Sequence, residues 1–396
     1  MKILQINSVR GISSTGRIVV DICKEAQRKG HVCEIAYGEV RYANTSNGIA
    51  SYEIDDRLDC IVHAVLTRIT DRHGRGSVRA TKKLIHEIEA FEPDVIHLHN
   101  LHGYYLNYSL LFEYIKTKKI KVFWTLHDCW AFTGHCVHFD YVGCDKWIEE
   151  CHHCPQKRSY PSTMLLDGSR VNYRTKKEAF QGVENMTIIV PSNWLARRVE
   201  KSFLREYPLE VVYNGVDLEN FCPTESSFRK DYQLEEKYVV LGVANVWDER
   251  KGLKTFAELA TRLPEDTVVV LVGLSSEQKR NLPENILGIE HTNSKRELAG
   301  IYTTADLFIN PSVEETFGLT TIEAMACGTE AVVYKDTACE EIMKECGGTV
   351  VDRSIDSLLK EILCRKEEHV KPNTREHVLK FSNSMFCRKI VELYEK

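Results

Sequence analysis

Short apolar runs recur along this chain. Each breaks off at a polar residue or a glycine, and most are followed by a segment long enough for a helix. Residues 2–7, 32–37, 94–100, 121–126, 187–190 and 210–213 make one series; 238–243, 268–272, 307–309, 331–334 and 349–351 make another. Runs this short and this continuously apolar predict strands buried on both faces, and strands alternating with helices predict parallel pairing. The expected fold class is α/β, with two doubly wound, Rossmann-like parallel sheets. A polar stretch at 223–230 divides the series and reads as a linker. It sets a first domain at 1–217, a second at 218–380 and a closing helix at 381–396. At 396 residues the chain is long enough for both domains.

A net charge of −5 gives no overall field for nucleic acid, so no such partner is expected. No apolar run reaches the length of a bilayer span, and the apolar start at 3–4 is too short for a secretory signal. Most of the 14 cysteines stand singly in apolar segments, which suits a reduced, cytoplasmic chain.

In open parallel sheets, ligands bind beyond the carboxyl ends of the strands. After strand 2–7, residues 10–16 read as a polar loop bounded by Gly16, with a helix at 18–28 behind it. This loop is neither a dinucleotide fingerprint nor a P-loop. It reads as ligand-facing, with a plain connection as the alternative. Strand 94–100 carries His99 at its end, and strand 121–126 is followed by His127-Asp128. A lone histidine is more often packed than catalytic, but two at strand ends point to one cleft. In the second series, strand 238–243 opens onto Asn245 and then Arg250-Lys251-Gly252, ahead of a helix at 253–263. Lysine before a helix suits a diphosphate as a point charge, and arginine can grip oxygens in a fork.

The densest stretch is 306–333. It reads as strand, turn at Asn310-Pro311-Ser312, bend at Thr316-Phe317-Gly318, helix, and stop at Gly328. Thr320 with Glu323 three residues on has the spacing of a capping box. A helix start of this kind suits a phosphate. Read locally, Glu323 is a cap, and Glu314 and Glu315 are solvated loop acids.

A resemblance changes that reading. Glu315, Phe317-Gly318-Leu319 and Glu323-Ala324-Met325-Ala326-Cys327-Gly328 resemble the paired-glutamate signature of retaining glycosyltransferases of family 4. Thr125-Leu126-His127-Asp128, Asn214-Gly215-Val216-Asp217 and Lys251-Gly252 are similar to further segments of that family. The resemblance covers nearly the whole chain and is densest from 245 to 333. It implies a GT-B fold: two Rossmann-like domains facing a cleft, with the last helix crossing back to the first domain. It implies transfer of a sugar, with retention, from a nucleotide-diphosphate sugar to a hydroxyl of a glycan or lipid-linked acceptor, as in capsule, O-antigen or colanic-acid synthesis. By the same resemblance Glu323 holds the ribose and Glu315 orients the donor sugar. Lys251 with Arg250 neutralises the diphosphate, and the backbone of Phe317, Gly318 and Leu319 cradles it. Gly16 lets the first loop approach the donor, His127 supports the sugar, and His99 and Asp128 lie on the acceptor side. No covalent nucleophile and no catalytic cofactor are implied. The family's usual phosphate-binding arginine falls near Asn245, where this chain departs; either Arg250 takes that role or Asn245 contributes a hydrogen bond.

Two segments lie outside the signature. Cys136, Cys144, Cys151 and Cys154 fall within 19 residues in the Cys-rich insert at 129–160, where periodicity is weak. The spacing fits a structural zinc; free or paired cysteines are the alternative. Arg68, Arg72, Arg75, Arg79 and Lys82 recur at helical steps, although Gly74 and Gly76 interrupt them. The basic stretch 68–83 reads as a solvated face or as a peripheral contact with an anionic membrane or a phosphorylated acceptor. Two rival functions stay open: a sugar-nucleotide epimerase or hydrolase on the same fold, and a zinc-bearing binding protein without chemistry.

Overall fold

The first sheet has seven parallel strands in the order β3-β2-β1-β4-β5-β6-β7. They are β1 (Lys2–Asn7), β2 (Val32–Tyr37), β3 (Ala50–Glu53), β4 (Val95–Leu98), β5 (Lys121–Thr125), β6 (Met186–Val190) and β7 (Leu209–Val211). The second has six, in the order β10-β9-β8-β11-β12-β13. Its members are β8 (Tyr238–Val243), β9 (Thr267–Val272), β10 (Ile286–Ile289), β11 (Leu307–Asn310), β12 (Ala331–Tyr334) and β13 (Thr349–Val351). The computed structural model describes residues 1–38, 48–54, 56–368 and 374–396. The order reverses at β1/β4 in one sheet and at β8/β11 in the other. At each reversal, neighbouring loops part and leave a crevice beyond the strand ends.

The chain divides into one unit of Met1–Tyr213 with Phe386–Lys396 and another of Asn214–Met385. The helices used below are α1 (Ser13–Arg28), α2 (Arg57–Thr70), α3 (Val78–Phe91), α4 (Ser169–Phe180), α5 (Leu253–Arg262), α6 (Lys295–Thr304), α7 (Leu319–Ala326) and α8 (Asn383–Glu395). In the first unit Ile18, Val19, Ile22 and Cys23 of α1 share a core with Ile3, Ile35 and Val95, closed by Phe386, Ile390 and Tyr394 of α8. In the second, Phe256 and Leu259 of α5 pack on Val240, Val269, Leu271 and Ile309.

Several local expectations change. The helix after β1 begins at Ser13, so Gly16 lies buried in its first turn, its carbonyl accepting from the Gly11 amide at 2.9 Å. The basic steps do not form one stripe: α2 ends at Thr70 and α3 starts at Val78, with Gly74 left-handed between them (φ 74°). The closing segment is broken into Arg375–Val378, Leu379–Phe381 and α8. Two edge strands, β3 and β10, were not expected. Cys23 and Cys33 are joined as a disulfide, where a fully reduced chain was expected; α1 and β2 bring their Cα atoms to 5.4 Å. Among the described residues no helix is long and apolar enough to cross a membrane.

Candidate functional site

In the second unit the loops after β8 and β11 are joined to each other at the sheet's reversal point. The Val313 amide donates to the Arg250 carbonyl at 3.0 Å, and Arg250 donates back through Nη1 to the Glu314 carbonyl at 2.9 Å. Gly252 has φ 80°, and a Cβ there would come within 2.8 Å of Pro311. The close contact between loops therefore depends on glycine. Lys251 forms an ion pair with the Glu315 carboxylate, and Arg250 Nη1 lies 3.6 Å from the same oxygen. Glu314, expected to be solvated, is fully buried. Asn245 is exposed.

The capping-box expectation at Thr320 is corrected. The residue preceding the helix is Gly318, left-handed at φ 92°, with no side-chain cap, and α7 starts at Leu319. A Cβ on Gly318 would lie 2.4 Å from Cys339 Sγ. The tight bend drops the chain from Phe317, buried at 2% exposure, straight into the helix. Glu323 therefore sits in the second turn rather than at N3. Its carboxylate accepts from the Tyr302 hydroxyl at 3.1 Å. Burial and the Glu323 charge push the Tyr302 pKa well up, which keeps that hydroxyl a donor. Beneath the helix start, Asn310 donates to Thr321 Oγ1 at 3.0 Å and accepts from the Ser312 amide at 3.2 Å. Glu315, Phe317, Gly318, Leu319, Glu323 and Lys251 thus gather around one helix N-terminus. Its amides and dipole favour an anion, and of the two carboxylates beside it Glu315 holds Lys251 and Glu323 accepts from Tyr302.

In the first unit the ends of β4 and β5 bring His99 and His127 together, with Nδ1 of His99 3.1 Å from Nε2 of His127. This contact is one link of a buried chain. Gln5 Nε2 donates to the Tyr394 hydroxyl at 3.0 Å, which hydrogen-bonds His97 Nδ1 at 2.5 Å. His97 Nε2 hydrogen-bonds Thr125 Oγ1 at 2.7 Å. The Gln5 oxygen is left to accept from His99 Nε2 at 2.7 Å. His99 Nδ1 is therefore an acceptor, and His127 must donate to it from Nε2. The network sets the tautomer of His127. Burial is the main cause that keeps these rings neutral. It takes the pKa of His97 down to about 3, with His127 adding to the effect. It lowers His127 to about 4 against the opposing pull of Asp128. It holds His99 well below the ordinary value. Asp128 pairs with His102 at 2.8 Å and accepts from the Trp130 amide at 2.8 Å. These contacts overcome burial and bring its pKa down to about 2. Sequence reasoning missed Gln5, His97, His102, Tyr302 and Tyr394. Only the strand-end position of His97 and the helical periodicity around Tyr394 hint at them.

The insert after Asp128 contains only three-residue turns, Trp130–Phe132, Asp140–Val142 and Lys146–Ile148. Cys136, Cys144, Cys151 and Cys154 line one small cavity within it. Among the described residues, no group of three or more His, Cys, Asp or Glu side chains has a geometry ready for a metal.

Two all-parallel, doubly wound units, one carrying paired carboxylates and a lysine around a helix start at its reversal point, define a glycosyltransferase of the GT-B kind. Known proteins agree. Residues 15–220 match the model described as Glycosyltransferase Family 4, and residues 224–375 match Glycosyl transferases group 1. The chain belongs to glycosyltransferase family 4. It is 22% identical over 367 residues to the putative colanic acid biosynthesis glycosyl transferase WcaC of Escherichia coli K12, covering 89% of this chain and 87% of that protein. It is 25% identical over 211 residues to the N,N'-diacetylbacillosaminyl-diphospho-undecaprenol alpha-1,3-N-acetylgalactosaminyltransferase of Campylobacter jejuni, covering 49% of this chain and 56% of that one. Among solved structures, sucrose-phosphate synthase from Thermosynechococcus elongatus superposes with a TM-score of 0.72 at 16% identity, covering 100% of this chain and 98% of that one. Anabaena Alr3699/HepE in complex with UDP gives 0.68 at 16%, covering 100% of both chains. These last two share the fold. The protein is a glycosyltransferase, and the epimerase and non-catalytic binding readings find no support.

Proposed function

We propose that this enzyme moves a sugar, with retention, from a nucleotide-diphosphate sugar to a hydroxyl of a lipid-linked glycan in surface-polysaccharide synthesis. The observation that carries the reading is the cluster at the start of α7. Glu315 and Glu323 bracket the helix N-terminus, and Lys251 rests on Glu315. In this reading the donor diphosphate takes Lys251 from Glu315 and sits on the amides at Phe317, Gly318 and Leu319. Glu315 is thereby released to accept sugar hydroxyls, and Glu323, steadied by Tyr302, accepts those of the ribose. Arg250 does not act as a free fork: it ties the two loops together. Catalysis then rests on positioning and on stabilising the leaving diphosphate. His127, neutral and with its Nε2 proton given to His99, would present Nδ1 as an acceptor for a sugar hydroxyl. The anomeric configuration of the product tests the chemistry: an α-linked donor should give an α-linked product by proton NMR, and a β-linked product would refute retention.

The lipid-linked acceptor is supported by the relative named for a diphospho-undecaprenol substrate and by one face of α2. Leu58, Ile61, Val62, Val65, Leu66 and Ile69 are large, apolar and exposed there. Met164, Leu165 and Leu166 extend the patch, tied to α2 by the Met164 amide on the Arg68 carbonyl at 2.7 Å. Exposed Arg57, Arg68 and Arg72 on or beside the helix, with Lys82 and Lys83 on α3, supply positive charge. An apolar face with basic flanks suits peripheral binding to an anionic bilayer.

A further inference from the structure

The cavity lined by Cys136, Cys144, Cys151 and Cys154 has an N–H donor and a buried lysine beside it. Lys176 on α4 is 1% exposed, and its ammonium donates only to the Trp130 and Thr133 carbonyls, at 2.6 and 3.0 Å. A buried ammonium calls for an anion. Thr133, whose carbonyl holds that ammonium, lines the same cavity. The Gly134 amide donates to Cys151 Sγ at 3.1 Å. Residue 134 has no room for a side chain, since a Cβ would lie 2.7 Å from Cys151 Cβ and 2.1 Å from the Ser169 carbonyl. His135, 2% exposed, lines the same cavity. Its Nδ1 is held by the buried Asp71 carboxylate at 2.7 Å, while its buried Nε2 has no hydrogen-bond partner. A carboxylate behind a histidine is a common way to aim the far nitrogen at a metal centre or its ligands.

We infer that Cys136, Cys144, Cys151 and Cys154 bind one zinc ion as a structural tetrathiolate. The four thiols release their protons to solvent as the ion enters. Zinc with four thiolates carries a net double negative charge. The Lys176 ammonium offsets part of it, and the Gly134 N–H stabilises the Cys151 sulfur. No open ligand position remains for chemistry, so the ion is structural. It holds an insert that has only three-residue turns and a small cluster of Phe132, Phe139 and Trp147. That insert follows Asp128 directly, and Tyr160 at its end bonds His102, the partner of Asp128. The zinc would thereby set the shape of the acceptor side.

The test uses the full-length enzyme, purified reduced and without a metal-binding tag. Elemental analysis should find about one zinc per chain, and a mercurial should release it while a chromogenic chelator records its appearance. Refolding with cobalt in place of zinc should give the thiolate charge-transfer band and the intense visible bands of a tetrahedral site. Cys144→Ser should lose the bound metal, and Lys176→Met should bind it at least roughly tenfold more weakly, about 1.4 kcal/mol. If those variants fail to fold, the wild-type cobalt spectrum decides. The inference is overturned if the protein holds no metal and all four thiols titrate freely. It is equally overturned if peptide mapping finds Cys136 and Cys154 joined as a disulfide.

Discussion

The ammonium of Lys251 rests on the carboxylate of Glu315, so the cation assigned to the donor diphosphate is held by the acid assigned to the donor sugar. Both charges are partly shielded, with side-chain exposures of 20% and 15%. A diphosphate carries more charge than one carboxylate and can draw Lys251 away. Donor binding would then release Glu315 and load Lys251 in one event. Lys251→Ala is expected to weaken nucleoside diphosphate binding about tenfold or more, the worth of a charge-assisted hydrogen bond. Arg250→Ala should instead lower stability by about 1–3 kcal/mol, because Arg250 bonds the Glu314 carbonyl. Calorimetric titration and urea unfolding of both variants separate the two effects; equal losses of affinity would contradict the division.

Gly318 should tolerate no side chain. Its φ of 92° costs any other residue about 1 kcal/mol or more, and a Cβ would collide with Cys339 Sγ. Gly318→Ala is expected to destabilise by about 2–4 kcal/mol. Adding Cys339→Ala should recover the collision but not the backbone strain. Denaturant titration of the single and double variants checks this, and full recovery in the double variant would remove the strain from the account.

The buried histidines predict a pH effect. In the folded protein His127 and His97 take up protons only near pH 4 and 3, whereas an unfolded histidine does so near pH 6.5. Between those limits the unfolded chain binds more protons, so stability rises with pH across the window. Lowering the pH from about 6.5 toward 4 should cost about 1.4 kcal/mol per pH unit for each such ring. Thermal unfolding across that range, with His97→Gln as a comparison, measures the slope; a flat profile would mean that these rings are protonated in the fold.

The α2 face predicts vesicle binding. The protein should sediment with vesicles rich in anionic lipid and less so with neutral ones. Ile61→Glu with Leu165→Glu should abolish the association, while turnover of a water-soluble acceptor is retained. Added salt should weaken binding only in part, since the apolar face is not screened. Sedimentation of the double variant at the wild-type level would contradict this surface.

Nine of the eleven expected strands start and end within one residue of the observed ones, because a strand buried on both faces must be written as an apolar run. The two missed strands lie at sheet edges. Ala50–Glu53 is largely polar, and Ile286–Ile289 contains a glycine, so neither announces itself. The cluster at 315–323 was legible as a motif, but its local geometry was not. Spacing alone made Thr320 a cap, yet the bend at Gly318 starts the helix two residues sooner and hands Glu323 to Tyr302. The support behind His127 was invisible because it is assembled from residues 5, 97, 99, 125 and 394, which only the folded sheet and α8 bring together. A sequence cannot show that Arg250 also bonds a carbonyl 64 residues away.

Donor binding is the claim on which the rest depends, and thermal unfolding with a panel of nucleotide-diphosphate sugars tests it most directly. Binding to the folded state raises the midpoint by mass action. At least one member of the panel should raise it, and its nucleoside diphosphate alone should give part of the shift. Glu323→Gln, which keeps the size and the Tyr302 contact but loses the charge, should lose most of it. If no nucleotide sugar or nucleoside diphosphate moves the wild-type midpoint, or if Glu323→Gln responds like wild type, the site at the start of α7 is not the donor site.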